Sequence, residues 1–313
     1  MPLWQRGSET VSVLFTEDFW YMVLRCTTPI LFATLAALIA NTAGLMNLGL
    51  EGSMTVSALF GALGCGFTGS IYIGLLYGMA AGILVTMLLA FCVMRLGANR
   101  IIAGVALNLA CTGGSVFLLY TITGDKTSTN ALPSSAFPSV PIPLVSKLPV
   151  IGKILSGHNV FTYIAFLSAI LLYFVLKSTK FGVKVRAVGE MPAAAESVGI
   201  KVNKIRYEAL LLSGLFASLG GICLSMGYVS RFTSGMVAGR GYIALATNAM
   251  AASNPLLAVG SSLLYGFGNA LSIYQQNNNN DPYLVELIPY VFIIVSYTLI
   301  SLLQKRREQR LAQ

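Results

Sequence analysis

The chain has 313 residues, of which 56% are hydrophobic and only 10% are charged. Soluble domains usually carry about 25% charged residues, so this composition excludes an ordinary soluble domain, a disordered chain and a disulfide-rich scaffold. The formal net charge of +9 is concentrated in a few stretches between apolar runs, which indicates membrane orientation rather than nucleic-acid binding. The composition therefore predicts an all-α polytopic membrane protein.

Apolar runs without charges follow one another along the chain, and each crossing of a bilayer takes about 20 such residues. They predict about nine transmembrane or half-spanning helices, within a range of about eight to ten. The runs cover residues 26–50, 52–94 (two crossings), 101–124, 154–176, 209–230, 241–280 (two shorter elements broken near Pro255) and 287–304.

Basic residues cluster in three places, all of which fall on one side of the membrane if the spans are drawn in this way. Arg95 and Arg100 flank one turn, the stretch 177–206 carries seven Lys and Arg, and the tail after residue 304 carries four. The positive-inside rule makes this side cytoplasmic, which places the C-terminus inside and the Pro-rich stretch 125–158 outside. An odd number of predicted spans, nine, separates the two termini and therefore places the N-terminus outside.

We expect a single transmembrane domain over residues 1–313. Its parts are N-terminal helices (22–124), an extracellular loop (125–158), C-terminal helices (159–303) that include the cytoplasmic loop 177–206, and a cytoplasmic tail (304–313).

Two segments rich in Gly and Asn interrupt the apolar runs, residues 41–53 in one half and 239–255 in the other. Broken helices with polar groups line cavities because lipid cannot satisfy free backbone groups, and an ionisable residue there is costly. A pair of interrupted segments points to a transport path. A cytoplasmic turn with a capping Glu, and an outer loop before an ordinary short helix, are the alternatives. The predicted path residues are Asn47, Gly49, Glu51 and Asn248.

Residues 31–40 (LFATLAALIA) are similar to residues 215–224 (LFASLGGICL). The drawn topology sends the first inward and the second outward, as in an inverted repeat, whose interface holds the substrate path. A chance match between two apolar stretches is an equally open alternative.

A short helix is predicted in the basic stretch, beginning at Pro192 and ended by Gly199. Pro suits the first helical position, and Glu196 favours the N-terminal turns of a helix. Such a helix between two spans is exposed to water and available to a partner. A solvated basic loop is the alternative.

The sequence gives little support for an enzyme. HExxH, GxSxG and the GxxxxGK[ST] phosphate loop are absent, and His158 is the only histidine, which excludes a multi-histidine metal site. We expect a transport subunit without an ATPase site, a metal or a cofactor of its own.

The basic stretch resembles the cytoplasmic motif of one transporter family. FG at 181–182, RAVGE at 186–190, AAAESVGI at 193–200 and VNK at 202–204 are similar to permeases of ABC importers for ribose-type sugars, nucleosides and branched-chain amino acids. RCTTPILFA at 25–33 and GLMNLGLEG at 44–52 are similar to the nucleoside-type branch. The resemblance runs from about Arg25 to the tail.

The resemblance implies an inverted-repeat type II importer fold in a bacterial plasma membrane. Two different permeases would form the path for nucleosides, separate ATPase subunits would bind ATP-Mg on the cytoplasmic side, and a substrate-binding lipoprotein would deliver substrate from outside. A permease for a simple sugar or another small polar solute is one alternative, and a stand-alone carrier or channel is another.

In this family the short helix docks on the ATPase and transmits its closure. The resemblance implies this coupling role for Arg186, Gly189, Glu190, Pro192, Ala193, Ala194, Ala195, Glu196 and Gly199.

Overall fold

The computed structural model describes residues 16–130, 132, 135–141, 151–277 and 285–311. Within these ranges the chain is helical apart from turns and two isolated bridges, Ser128–Thr233 and Ser139–Asn159. Seven of the described helices are long and apolar enough to cross a membrane, and shorter helices accompany them. The predicted class, an all-α polytopic membrane protein, is confirmed.

The helices follow in chain order as α1 (Glu17–Thr42), α2 (Leu50–Thr68), α3 (Ile71–Met94), α4 (Arg100–Thr123), α5 (Ile151–Leu155), α6 (Val160–Ser178), α7 (Lys180–Glu190), α8 (Pro192–Ser197), α9 (Val202–Ile222, continued as a π-helix over Cys223–Val229), α10 (Arg240–Met250), α11 (Pro255–Asn277) and α12 (Ile288–Leu311).

Helix α1 forms the centre of the bundle. Every residue from Thr27 to Ala40 is buried, and a helix that is apolar and buried on all sides must be surrounded by other helices. It packs against α9, α11, α10 and α6. In contrast, α4 is exposed along most of its length and leaves its apolar side chains free to meet lipid or another subunit.

The predicted limits of the first span, residues 26–50, were wrong at both ends. The helix begins before Arg25, whose guanidinium carbon lies 4.7 Å from the centroid of the Tyr228 ring. This cation–π contact gives the exposed guanidinium a partner in the π-helical continuation of α9, so the charge does not end the helix. The helix ends at Thr42, shortly before Gly44 takes a left-handed φ of 74°. Glycine adopts that conformation without a steric penalty.

Helices α1 and α9 carry the two similar segments and run antiparallel. Ser213 Oγ donates to the Ala36 carbonyl at 2.7 Å, whereas Gly220, further along α9, lies against Pro29 at an earlier position on α1. An inverted repeat requires this opposite direction.

One side of the bundle, called the basic side below, holds the α3–α4 turn and helices α7 and α8. Arg100 Nη1 donates to the Gly44 carbonyl at 3.3 Å, and Gly44 in turn contacts Gly189 on α7. Asn41 Nδ2 donates to Ser253 Oγ at 3.2 Å, which places the start of α11 on the same side. Helix α11 therefore runs from the basic side towards the opposite side.

On the opposite side, His158 is part of a small buried cluster. Its ring stacks on Tyr21 with 4.0 Å between centroids, and its Nε2 lies 2.7 Å from the Ile154 carbonyl oxygen. The ring is 2% exposed, and this burial lowers the pKa of His158 below its usual value of 6.5.

We expect the folded protein to lose stability as the pH falls below about 6.5, because the unfolded chain then takes up a proton that buried His158 does not. His158→Phe keeps an aromatic ring beside Tyr21 and removes the titration. Thermal unfolding in detergent between pH 7.5 and 5.5 should show a smaller loss for the variant than for the wild type. Equal losses in both proteins would contradict this role of His158.

Candidate functional site

The two interrupted segments meet in the structure through one carboxylate. Glu51, in the first turn of α2, accepts hydrogen bonds from Gly239 N at 2.8 Å (Oε1) and from Gly241 N at 2.7 Å (Oε2). Both donors belong to the start of α10, where backbone N–H groups lack intrahelical acceptors and the helix dipole favours an anion. Glu51 thus caps a helix, as the alternative interpretation held, but the helix belongs to the other half of the chain.

Asn108 on α4 is the second polar residue at this point. Its Oδ1 accepts from Gly52 N at 2.9 Å, and its Nδ2 donates to the Leu48 carbonyl at 2.8 Å and to Tyr242 Oη at 2.9 Å. Asn108 therefore caps the start of α2 and at the same time orients a side chain of α10. We call Glu51, Asn108, Gly239, Gly241 and Tyr242 the helix junction.

The helix junction lies well inside the membrane. Asn108 follows Arg100, the first residue of α4, by eight positions, which corresponds to about 12 Å along a helix that rises about 1.5 Å per residue. The hydrocarbon layer is about 30 Å thick, so a carboxylate at this level lies between the two ends of the spanning helices. Ionisable groups at such depth are expensive and mark substrate or ion pathways.

The junction is closed on the side of α2 and open on the side of Tyr242. A Cβ on Gly241 would collide with the backbone of Glu51, so only glycine allows the two helix starts to come this close. The Tyr242 ring is 45% exposed although its hydroxyl is held by Asn108.

Replacing Asn108 with Ala should lower the stability of the chain by about 1–3 kcal/mol, since Gly52 N and the Leu48 carbonyl lose a buried partner. Thermal unfolding in detergent measures the effect. Thr121→Ala is the matched control on the same helix, because the Thr121 hydroxyl bonds only its own helix at an exposed position. Equal unfolding temperatures for both variants would contradict the capping role of Asn108.

Sequence reasoning missed Asn108 because it lies inside a long apolar run. The sequence distinguishes Asn108 only as a single amide among apolar residues. Tyr242 was missed for a different reason: it lies in the second interrupted segment, but nothing in the sequence distinguishes it from the other tyrosines.

The other predicted path residues occupy different environments. Asn47 is fully buried, with Nδ2 donating to Ser213 Oγ at 2.9 Å and Oδ1 accepting from Gly49 N at 3.1 Å, so it stabilises the turn before α2. Asn248 is 6% exposed, and its Oδ1 is buried without a hydrogen-bond partner among the described residues. The structure thus brings Glu51 to the second segment and keeps Asn47 and Gly49 in the packing beside it.

The predicted short helix is present as α8, with Pro192 at its start and Gly199 beyond its end at a φ of 84°. Its inner side is fixed by Ala195, which is buried. Pro192 is half-buried. The exposed members of the predicted coupling set are Arg186, Glu190, Ala193, Ala194, Glu196 and Gly199.

Gly189 connects this exposed loop to the membrane helices. Its Cα lies against Gly44, and a Cβ in its place would collide with the Thr42 carbonyl oxygen. The chain from Gly44 reaches Glu51 after only seven residues. Helix α7 therefore packs directly against the segment that leads to the junction carboxylate.

No group of His, Cys, Asp and Glu that could hold a metal ion occurs among the residues with described positions.

Comparisons with known proteins give the family. Residues 20–297 match the model of the branched-chain amino acid transport system permease component. The guanosine ABC transporter permease protein NupQ of Bacillus subtilis is 33% identical over 78% of this chain and 78% of its own length. The nucleoside ABC transporter permease protein NupC of Lactococcus lactis is 32% identical over 86% of this chain and 87% of its own length.

A third relative has a sugar in its name. The putative glucose ABC transporter permease protein TsgC13 of Haloferax volcanii is 33% identical over 84% of this chain and 79% of its own length. The seven spanning helices, the two interrupted segments joined at a half-buried carboxylate and the family model that matches most of the chain agree with one another. The chain belongs to the family of branched-chain amino acid transport system permease components, the membrane subunits of ABC transporters.

Proposed function

We propose that this chain forms the translocation path for nucleosides in an ABC importer. The relatives named for guanosine and nucleosides support the substrate class, since they match most of the chain at about one third identity. The observation that carries the transport role is the helix junction, where Glu51 joins the starts of α2 and α10 between the two ends of the spanning helices.

Substrate passes the open side of this junction. Glu51 and Asn248 are the path residues in this proposal, because the first holds two helix starts together and the second has a buried acceptor without a partner. Asn47 and Gly49 contribute by keeping Glu51 in place rather than by touching substrate.

ATP-Mg is bound and hydrolysed by a separate ATPase subunit, and this chain needs no cofactor of its own. The exposed apolar side chains Met191 and Val198 flank α8 and, with Ala193 and Ala194, offer a surface for a groove on that subunit. Movement of α8 reaches the helix junction through α7 and the contact of Gly189 with Thr42 and Gly44.

The importer resides in a bacterial plasma membrane with the basic side, and hence the C-terminus, in the cytoplasm. A second, different permease covers the exposed face of α4, and a substrate-binding lipoprotein delivers nucleoside to the opposite side. The exposed length of α4, from Ile101 to Tyr120, supports the need for a partner subunit.

Gentle detergent purification of the tagged chain, followed by mass spectrometry, tests the assembly. We expect an ATPase and a second permease to co-purify. A chain that transports solute on its own, with no ATPase retained in several detergents, would favour a secondary carrier or channel and would overturn the proposal.

A sugar is the second candidate substrate, and the likeness to a glucose-type permease favours it. The binding protein encoded or purified with this chain separates the two, because its thermal stability rises in the presence of its own ligand. Stabilisation by ribose or glucose and by no nucleoside would replace the nucleoside proposal.

A further inference from the structure

A cavity of about 290 Å³, which several polar side chains line, lies next to the helix junction, between the start of α10, the second half of α11 and the start of α12. We call it the outer cavity. The side chains that give it its polar character are Arg240, Tyr265, Asn269, Gln276, Glu286 and Tyr290.

The outer cavity extends from the junction towards the side opposite the basic side. Arg240 marks its inner end, because the neighbouring residues Gly239 and Gly241 hold the Glu51 carboxylate. Gln276 and Glu286 mark its outer end, since α11 runs away from the basic side and Gln276 is near its last residue. A solute entering from the opposite side would pass through this cavity before it reached Glu51.

One buried hydrogen-bonding group of the outer cavity has no partner. Arg240 Nη1 donates to the carbonyls of Met236 and Val237, but its buried Nε has no acceptor among the described residues. Asn269 is half-buried in the wall of the cavity, and Gln276 and Glu286 are exposed at its outer end. A buried donor without an acceptor is costly where lipid replaces water, so its place beside two amides and a carboxylate points to a polar ligand.

The composition of the cavity selects the kind of ligand. One guanidinium and one carboxylate balance each other, which favours a neutral polar solute over an ion. Two amides can each donate to and accept from the edge of a nucleobase, as Asn and Gln do at adenine edges. The exposed ring of Tyr290 provides a face for a planar base, and the Glu286 carboxylate can accept from sugar hydroxyls.

We propose that the outer cavity is a nucleoside-binding subsite on the entry side of the helix junction, with Asn269 and Gln276 contacting the base and Glu286 the ribose. This inference rests on the proposed function and names the residues that would select the nucleoside within it.

The test uses the purified permease–ATPase complex without its substrate-binding protein and with the ATP sites filled by a non-hydrolysable ATP analogue, so that bound nucleoside reports on the membrane subunits. Saturation-transfer difference NMR with guanosine, which detects weak binding, should show a saturable signal that uridine reduces and glucose does not. The double variant Asn269→Ala/Gln276→Ala should weaken guanosine binding by about tenfold or more, as expected when two hydrogen-bonding side chains are lost.

Asn41→Ala is the matched control, because Asn41 is an exposed amide on the basic side and outside the cavity. It should bind guanosine as the wild type does. Glu286→Gln keeps the size of the side chain and provides a second test. Relative to the wild type, this variant should weaken the binding of guanosine, which carries a ribose, more than the binding of free guanine, which does not.

Two results would overturn the subsite. One is the absence of saturable guanosine binding in a complex that imports guanosine once the binding protein is added. The other is wild-type affinity in both cavity variants. A complex that imports no nucleoside under any condition would instead contradict the proposed function itself, so the two failures are distinguishable.

Discussion

Glu51→Ala is expected to reduce uptake to less than about a tenth of the wild-type rate, because Gly239 N and Gly241 N both lose their acceptor. Hydrogen bonds to charged groups contribute about 1.5–3 kcal/mol each, and about 1.4 kcal/mol already corresponds to a factor of ten. The start of α10 would no longer be held at the start of α2, and the path beside Tyr242 would lose its shape. Uptake per amount of assembled complex, measured in proteoliposomes, is the readout.

Glu51→Gln should give an intermediate result. The amide keeps one oxygen that can accept from Gly239 N or Gly241 N, but its NH₂ group cannot accept from the other. Glu208→Gln is the control, since the one ion pair of Glu208 among the described residues is a long surface pair of 3.9 Å with Lys204. Wild-type uptake by Glu51→Ala, with normal assembly, would remove the junction from the mechanism.

Gly189→Ala is expected to uncouple ATP hydrolysis from transport. The added methyl group would collide with the Thr42 carbonyl oxygen, which is backbone and cannot move aside as a flexible side chain can. Either α7 or the segment after α1 must shift, and overpacking of this kind costs about 1–3 kcal/mol. We expect a loss of the ATPase stimulation by substrate-loaded binding protein and a roughly tenfold fall in uptake.

Gly260→Ala is the matched control for this substitution. Gly260 is an exposed glycine within α11 with open space around it, so a methyl group there meets no neighbour. It should leave coupling and uptake at the wild-type level. Normal stimulation of the ATPase in Gly189→Ala would show that the contact of α7 with Thr42 does not transmit movement.

The spans could be predicted because the membrane imposes a simple physical rule. An apolar run of about 20 residues predicts a helix, since the helix is the structure that satisfies all backbone hydrogen bonds within one segment in lipid. The breaks at 41–53 and 239–255 and the short helix after Pro192 were also correct, because Gly and Pro act on the local chain. These features depend on residues close in sequence.

The helix junction could be predicted only in part, because its bonds join residues far apart. Glu51 was singled out as an ionisable group at depth, but its donor Gly239 is 188 positions away, and no local pattern indicates that pairing. For the same reason, the sequence could not predict that the Asn47 side chain points into the packing and bonds Ser213. The first span shows the same limit, since the contact of Arg25 with Tyr228 crosses the bundle.

The most direct test of the central claim is ATP-driven guanosine uptake by proteoliposomes that contain the chain with its co-purified permease, ATPase and binding protein. We expect uptake that requires ATP, the binding protein and this chain, and that unlabelled nucleosides reduce while glucose and ribose do not. Uptake of sugar in preference to nucleoside, or uptake that continues without ATP, would contradict the assignment of a nucleoside importer.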